Sequence, residues 1–198
     1  VNPDEATRRA RRREYRAARR AVSPETRAAA ALAAARQLAA AGLPRPGSRV
    51  AVYLPQDGEF DPGPIAALAR RRGCTLYLPV LTGASRMAFG PLDAPGRAWR
   101  ANRFGIREPG AMPRLLARAQ DLHLVLVPLV AFDAHGHRLG MGAGFYDRAF
   151  AFLRRRVTWR QPRLLGLAFD CQEAPSLEPA PWDVPLWGVL TGTRLLRP

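Results

Sequence analysis

Residues 121–148 read DLHLVLVPLVAFDAHGHRLGMGAGFYDR, and their order decides the fold. Apart from His123, residues 122–132 are apolar and rich in branched side chains. That is the pattern of a strand buried on both faces, as in a parallel sheet covered by helices. The strand runs into a turn in which Asp133 is placed to fix the chain after Phe132. Gly140, Gly142 and Gly144 then precede a helix expected over 145–156. Backbone amides at a helix start attract anions, and glycine lets phosphate oxygens approach without a Cβ in the way. Arg138 enters this loop and Asp147 falls in the first helical turn. A cation for phosphate and a hard oxygen ligand for Mg²⁺ therefore stand side by side. The segment is neither a P-loop, which ends in Gly-Lys-Ser/Thr, nor the dinucleotide fingerprint, whose third glycine lies three positions after the second. On these residues alone, a plain turn with Asp147 complementing the helix dipole fits as well.

Working outward, short apolar strands alternate with helices. Strands are expected at 49–54, 74–79, 86–92, 164–169 and 186–191, and helices at 62–72 and 113–119. This alternation predicts one three-layer α/β/α domain over 1–198, with a mainly parallel sheet and helices on both faces. Ahead of it lie a basic helix over 4–20 and an alanine-rich helix over 24–41, the second opened by Ser23 as N-cap and Pro24 at the first helical position. Glu59 lies just past the strand that ends at Leu54, where open α/β sheets place ligand contacts. A carboxylate there can accept hydrogen bonds from an amidine-like edge such as a pterin's, or can be an exposed loop acid. His135 and His137 flank Gly136 and read as turn residues, and His123 as a satisfied core residue.

The chain has 198 residues and a net charge of +15 from 31 basic and 16 acidic side chains, and every basic one is arginine. Catalysis by an activated lysine is therefore excluded. Such a balance attracts polyanions: nucleic acid, an acidic membrane surface, a nucleoside triphosphate or a polyglutamate. Arg8, Arg12, Arg16 and Arg20 recur at every fourth position, which puts them on one helical face as an anion grip or as a solvated stripe. No apolar run approaches the roughly 18 residues of a membrane span. Cys74 and Cys171 are expected as two buried thiols of a reducing cytoplasm. No nucleophile elbow, metalloprotease helix or cysteine cluster is present, so covalent hydrolysis has no nucleophile.

The order of seven blocks resembles the 5-formyltetrahydrofolate cyclo-ligase (methenyltetrahydrofolate synthetase) family. They are the basic helix ending in Arg20 and then SPE, YLPQDGEFD at 53–61, LYLPVL at 76–81, RMAF at 86–89, Trp99 with FGIREP at 104–109, residues 121–148, and WDVPLWGVLT near the end. The resemblance implies an ATP- and Mg²⁺-dependent closure of 5-formyltetrahydrofolate, with or without a polyglutamyl tail, to 5,10-methenyltetrahydrofolate. It implies that Arg8 and Arg12 hold ATP phosphates and that Arg138, Leu139, Gly140, Met141, Gly142, Ala143, Gly144, Phe145 and Tyr146 form the main ATP loop. Asp147 and Asp183 would bind Mg²⁺. Leu54, Glu59 and residues 141–145 would contact the folate, with Trp99 a wall of that pocket. Trp182, Trp187 and Gly192 depart from the family's common histidine, acid and glutamate. Two other readings therefore stand beside this one: a catalytically impaired folate-binding relative, and a basic nucleic-acid-binding protein, for which only Tyr15 offers an aromatic ring near the basic helix.

Overall fold

The computed structural model describes residues 5–93, 98–110, 116–156 and 161–198. Two helices lead: α1 (Glu5–Arg20) and α2 (Pro24–Ala40). The Ser23 hydroxyl caps α2 by accepting from the Thr26 amide at 3.2 Å, and Gly42 ends the segment at φ +70°. The sheet is built from β1 (Arg49–Ala51), β2 (Thr75–Leu81), β3 (Met87–Pro91), β6 (Leu124–Pro128), β9 (Arg163–Leu167), β10 (Gly188–Leu190) and β11 (Leu195–Leu196). Two hairpins stand apart, β4 (Trp99–Ala101) with β5 (Arg107–Pro109) and β7 (Ala131–Phe132) with β8 (Arg138–Leu139). Helix α3 (Gly63–Arg71) crosses from β1 to β2, and α4 (Phe145–Ala149) follows the glycine loop.

The strand order is β11-β10-β9-β6-β1-β2-β3, parallel except at its two edges, where β2–β3 and β10–β11 run antiparallel. The side-chain period of two splits each inner strand between two cores. Val50, Leu124, Leu126 and Leu165 face α2 and α3 with Ala34, Leu38 and Ile65. Ala51, Val125, Val127 and Leu164 face the other way, against Phe89, Phe132 and Phe150. Burial on both faces is why the central strand reads as a continuous apolar run.

Five local expectations change. The run at 122–132 is two strands, because after Pro128 the chain leaves the sheet and Ala131 pairs instead with Leu139 across the 133–137 turn. The helix over 145–156 is only α4 followed by a 3-10 turn at Ala151–Arg155. The thiols are less buried than expected: Cys171 is exposed on the 3-10 turn Asp170–Gln172, and Cys74 is half-buried, donating to the Arg45 carbonyl. His123 is likewise only partly covered, its Nδ1 accepting from the Arg49 amide. Of the helix expected at 113–119, residues 113–115 lie outside the described residues, and the rest is not helical: Ala117 bridges to Phe89, Arg118 is extended, and a 3-10 turn begins only at Ala119.

Candidate functional site

Between β1 and β6 the strand order reverses, since the chain goes from β1 toward β2 on one side and from β6 toward β9 on the other. Open α/β sheets form a ligand crevice at the carboxyl ends of strands at such a point. Here a cavity of about 530 Å³ opens between α1, the loop after β1, the β4–β5 hairpin and residues 138–147. Trp182 and Asp183 reach it from the C-terminal connection.

Helix α1 is seated by one carboxylate. Asp57, at φ +51°, accepts from Arg16 at 2.8 Å, from Arg19 at 3.0 Å and from Arg20. Burial opposes ionisation of Asp57, but the hydrogen bonds from Arg16 and Arg20 outweigh it and hold its carboxyl below the usual range. Arg19 is 1% exposed and also donates to the Leu129 carbonyl at 3.2 Å, tying α1 to the end of β6. At the other end of the helix, Arg12 donates to the Gly140 carbonyl at 3.0 Å and to Glu5 at 2.8 Å, and Arg8 to Asp183 at 3.3 Å. The arginine face is therefore docked against the protein and is no solvated stripe. Sequence spacing missed Arg19, whose only signal was its place one turn before the start of α2.

Glu59 faces the cavity with its side chain 13% exposed, accepting from the Gln56 amide at 3.1 Å and lying 3.9 Å from Arg19. Burial pushes its carboxyl up. The phenols of Tyr53 and Tyr146 are pushed up by the same cause and stay neutral, with Tyr53 donating to the Phe60 carbonyl at 2.7 Å. Asp147 accepts from Arg138 and from the Val184 amide at 3.2 Å, and Arg138 also donates to the Val184 carbonyl. Asp183 accepts from the Ala180 amide at 2.8 Å. Two carboxylates from distant segments thus line one cavity, each beside an arginine.

Gly142 at φ +95° and Gly144 at φ +64° occupy the left-handed region that L side chains resist. A Cβ on Gly142 would lie 3.4 Å from the Arg12 guanidinium. Because α4 has only five residues, the dipole expected behind this loop is weak, and its anion-binding capacity rests on loop amides and guanidiniums.

Of the expected site residues, Arg8, Arg12, Leu54, Glu59, 138–147 and Asp183 all line the cavity. Trp99 does not. Pairing of β4 with β5 holds it on the hairpin, where Arg107 covers its ring at 5.2 Å. The ring that reaches the cavity from this hairpin is Phe104, edge-on to Phe145 at 6.0 Å. Asp133 does fix the turn after β7, accepting from the His135 and His137 amides, the His137 ring and the Leu177 amide. Among the described residues no group of three or more His, Cys, Asp or Glu is placed to hold a metal.

The profile of the 5-formyltetrahydrofolate cyclo-ligase family matches residues 4–192, all of the segments that build this cavity. The chain belongs to that family. It is 39% identical over 148 residues to the 5-formyltetrahydrofolate cyclo-ligase of Escherichia coli K12, covering 74% of this chain and 79% of that one. The 5,10-methenyltetrahydrofolate synthetase of Aquifex aeolicus superposes with a TM-score of 0.73 at 26% identity, over 96% of this chain and 92% of the other. That of Mycoplasma pneumoniae superposes at 0.71 and 22%, over 93% and 98%, a likeness of fold. In this member of the cyclo-ligase family, only one of the three unusual C-terminal residues reaches the cavity. Trp182 stands on its rim, Trp187 lies between the Arg163 and Arg197 guanidiniums, and Gly192 packs against Ala30 of α2.

Proposed function

We propose that this chain closes 5-formyltetrahydrofolate to 5,10-methenyltetrahydrofolate at the cost of one ATP, as a single cyclo-ligase-like domain over 1–198. The observation that carries this is the convergence of a glycine loop, three arginines and two aspartates on one cavity that also holds a half-apolar, carboxylate-bearing recess. Arg8, Arg12 and Arg138 with the 139–146 loop are read as the triphosphate site. Leu54, Glu59, Met141 and Phe145 are read as the folate side, where Glu59 accepts from the amidine edge of the pterin. Asp147 and Asp183 are an oxygen-only donor set that fits Mg²⁺, which takes one or two carboxylates beside waters and phosphate oxygens. When bound, that ion would neutralise charge on the transferring phosphoryl group.

The formamide oxygen is a poor leaving group as it stands. Its attack on the γ-phosphoryl group releases ADP and leaves the phosphoryl group on the formyl oxygen, which makes the formyl carbon electrophilic and the oxygen a good leaving group. N10 of the folate then attacks that carbon, loses its proton, and inorganic phosphate departs with the former formamide oxygen. Such a sequence demands alignment and charge stabilisation more than a dedicated acid or base, which is what Arg8, Arg12 and Arg138 supply. Tyr53 and Tyr146 contribute as neutral walls. The free thiols Cys74 and Cys171 suit a reducing cytoplasm.

The test is purified protein with 5-formyltetrahydrofolate, ATP and Mg²⁺, read by the near-ultraviolet absorbance of the methenyl product. Growth of that band only when all three are present is the expected result. Folate binding without product would favour the impaired relative, and absence of both would overturn the assignment.

A further inference from the structure

At the opposite end of the sheet from the cavity, the amino ends of the parallel strands carry cations that the reaction does not use. Arg45 precedes β1, Arg163 opens β9, and Arg197 follows β11, whose antiparallel course returns it to this edge. Arg45 and Arg197 are exposed and Arg163 is half-buried. Arg163 and Arg197 stack on the ring of Trp187, their guanidinium carbons 4.7 and 4.5 Å from its centroid. Burial of Arg163, and then the charges of Arg45 and Arg197, oppose its ionisation. Among the described residues no carboxylate pairs with any of the three. The acid at this edge, Asp121, is taken by Arg118 and also feels Arg49, while His123 accepts from the Arg49 amide. Like charges brought together without a counter-ion cost stability, and such arrangements concentrate where a protein binds the opposite charge.

In the order β11-β10-β9-β6-β1, the strands beside Arg197, Arg163 and Arg45 are two apart, so the cations recur about every 10 Å over about 20 Å of edge. One phosphate group cannot reach two such positions, whereas a nucleic-acid strand carries a charge every few ångströms. Planar guanidiniums take phosphate oxygens two bonds at a time. The exposed large apolar side chains, Leu32, Trp99, Phe104, Met141 and Trp182, lie on other elements. This edge therefore lacks the anchors that a membrane surface or the core of a protein interface uses. We infer that it is a nucleic-acid-binding surface on which Arg45, Arg163 and Arg197 hold phosphates of a single strand. The Trp187 ring is taken by cations and is not free for a base, so the contacts go to the backbone and carry no sequence preference. The net charge of +15 adds long-range attraction for the same polyanion. This surface is separate from the folate and ATP cavity and does not rest on the reading of that cavity.

The experiment follows the fluorescence anisotropy of a labelled single-stranded RNA of about 12 nucleotides, titrated with full-length wild type, R163Q and the double variant R45Q/R197Q. Each lost guanidinium should weaken binding about two- to fivefold, the range of an exposed ion pair. The double variant should also flatten the slope of log affinity against log salt by about 1.4, since each single-strand phosphate contact contributes about 0.7. A second RNA of unrelated sequence should bind equally, and saturating ATP with Mg²⁺ should leave the RNA bound. Turnover and melting temperature of R45Q/R197Q should match wild type, because both side chains are exposed. If R163Q melts early, the double variant carries the test. No binding by wild type at low salt would overturn the inference, and so would unchanged affinity and salt slope in R45Q/R197Q. Displacement of the RNA by ATP would overturn it too, by placing the strand in the nucleotide cavity. Displacement by tripolyphosphate at equal phosphate concentration would do the same, because a small anion would then fill the site.

Discussion

Replacing Asp57 by asparagine tests whether the helix that brings Arg8 and Arg12 to the cavity is held by a single carboxylate. Asparagine is nearly the same shape and tolerates the left-handed backbone at this position, so the change removes charge and little else. Three guanidiniums lose the Asp57 charge, and Arg19 keeps only the more distant Glu59, 3.9 Å away. For Arg16 and Arg20, which are partly exposed, the loss is small, about 0–1 kcal/mol each. Arg19 decides the magnitude, because it is 1% exposed and an unpaired buried charge costs about 3–5 kcal/mol. Its bonds to the Leu129 and Asp57 carbonyls survive and Glu59 stays 3.9 Å away, which puts the expected loss at the lower end, about 3 kcal/mol. For a domain of this size that is a fall in Tm of about 6–12 °C. Loosening the docked end of α1 should also weaken ATP binding about tenfold, which is 1.4 kcal/mol. The pH dependence supplies a second signature. Asp57 has a depressed pKa in the folded state, so its contribution is present above the unfolded value of about 3.9 and is lost as pH falls through the folded one. Thermal melts from neutral pH downward, with calorimetry of ATP binding, measure all three effects. A variant that melts within about 2 °C of wild type with unchanged ATP affinity would show that α1 is seated by something else.

Three further outcomes follow from the same geometry. Gly142→Val places a branched side chain at φ +95° and 3.4 Å from the Arg12 guanidinium, so a folded variant should lose at least tenfold (about 1.4 kcal/mol) in ATP affinity by calorimetry; unchanged affinity would remove this loop from the nucleotide site. Asp147→Asn and Asp183→Asn should each abolish Mg²⁺-dependent turnover while folate binding without nucleotide survives, and a normal Mg²⁺ titration in the Asp183 variant would point to water as the second ligand. Glu59→Gln should raise the folate KM and leave that of ATP unchanged; because burial raises the carboxyl of Glu59, the wild-type folate KM should worsen on acidification at a pH above the ordinary glutamate range of about 4.3, and the variant should lack that limb.

The parallel sheet was legible because period-two burial on both faces leaves a strand without alternation, and residues 124–128 show it. The same signal overran into 129–132, since Leu129 and Val130 are as buried as the strand residues yet have left the sheet for the β7–β8 hairpin. Periodicity reports burial and is silent on which sheet a residue pairs with. Glycine spacing marked the loop at 140–144, and Asp147 followed from its place beside it. Asp183 was reached through the family resemblance alone, for nothing local shows that a proline-rich connection returns to this end of the sheet. Asp57 and Arg19 escaped because their importance lies in meeting each other across 38 residues. Trp99 misled in the opposite direction: a ring in the right block of sequence was turned away by strand pairing, and Phe104 took its place.

The ion pairs that line the cavity bear on what it can hold. Arg8 pairs with Asp183, Arg12 with Glu5 and Arg138 with Asp147, so every cation assigned to the triphosphate is already held by a carboxylate, two of them the carboxylates assigned to the metal. A triphosphate alone would take the arginines and strand Asp147 and Asp183 beside its own negative oxygens. A metal alone would take the aspartates and strand Arg8 and Arg138, with Arg138 only 6% exposed. Leaving one partner of a buried pair uncompensated is the costly case, whereas exchanging both partners at once leaves no charge unmatched. On these assignments the cavity discriminates against either ion by itself. On the same assignments the nucleotide and its metal would enter together, the ion offsetting part of the triphosphate's negative charge while the arginines and aspartates exchange partners.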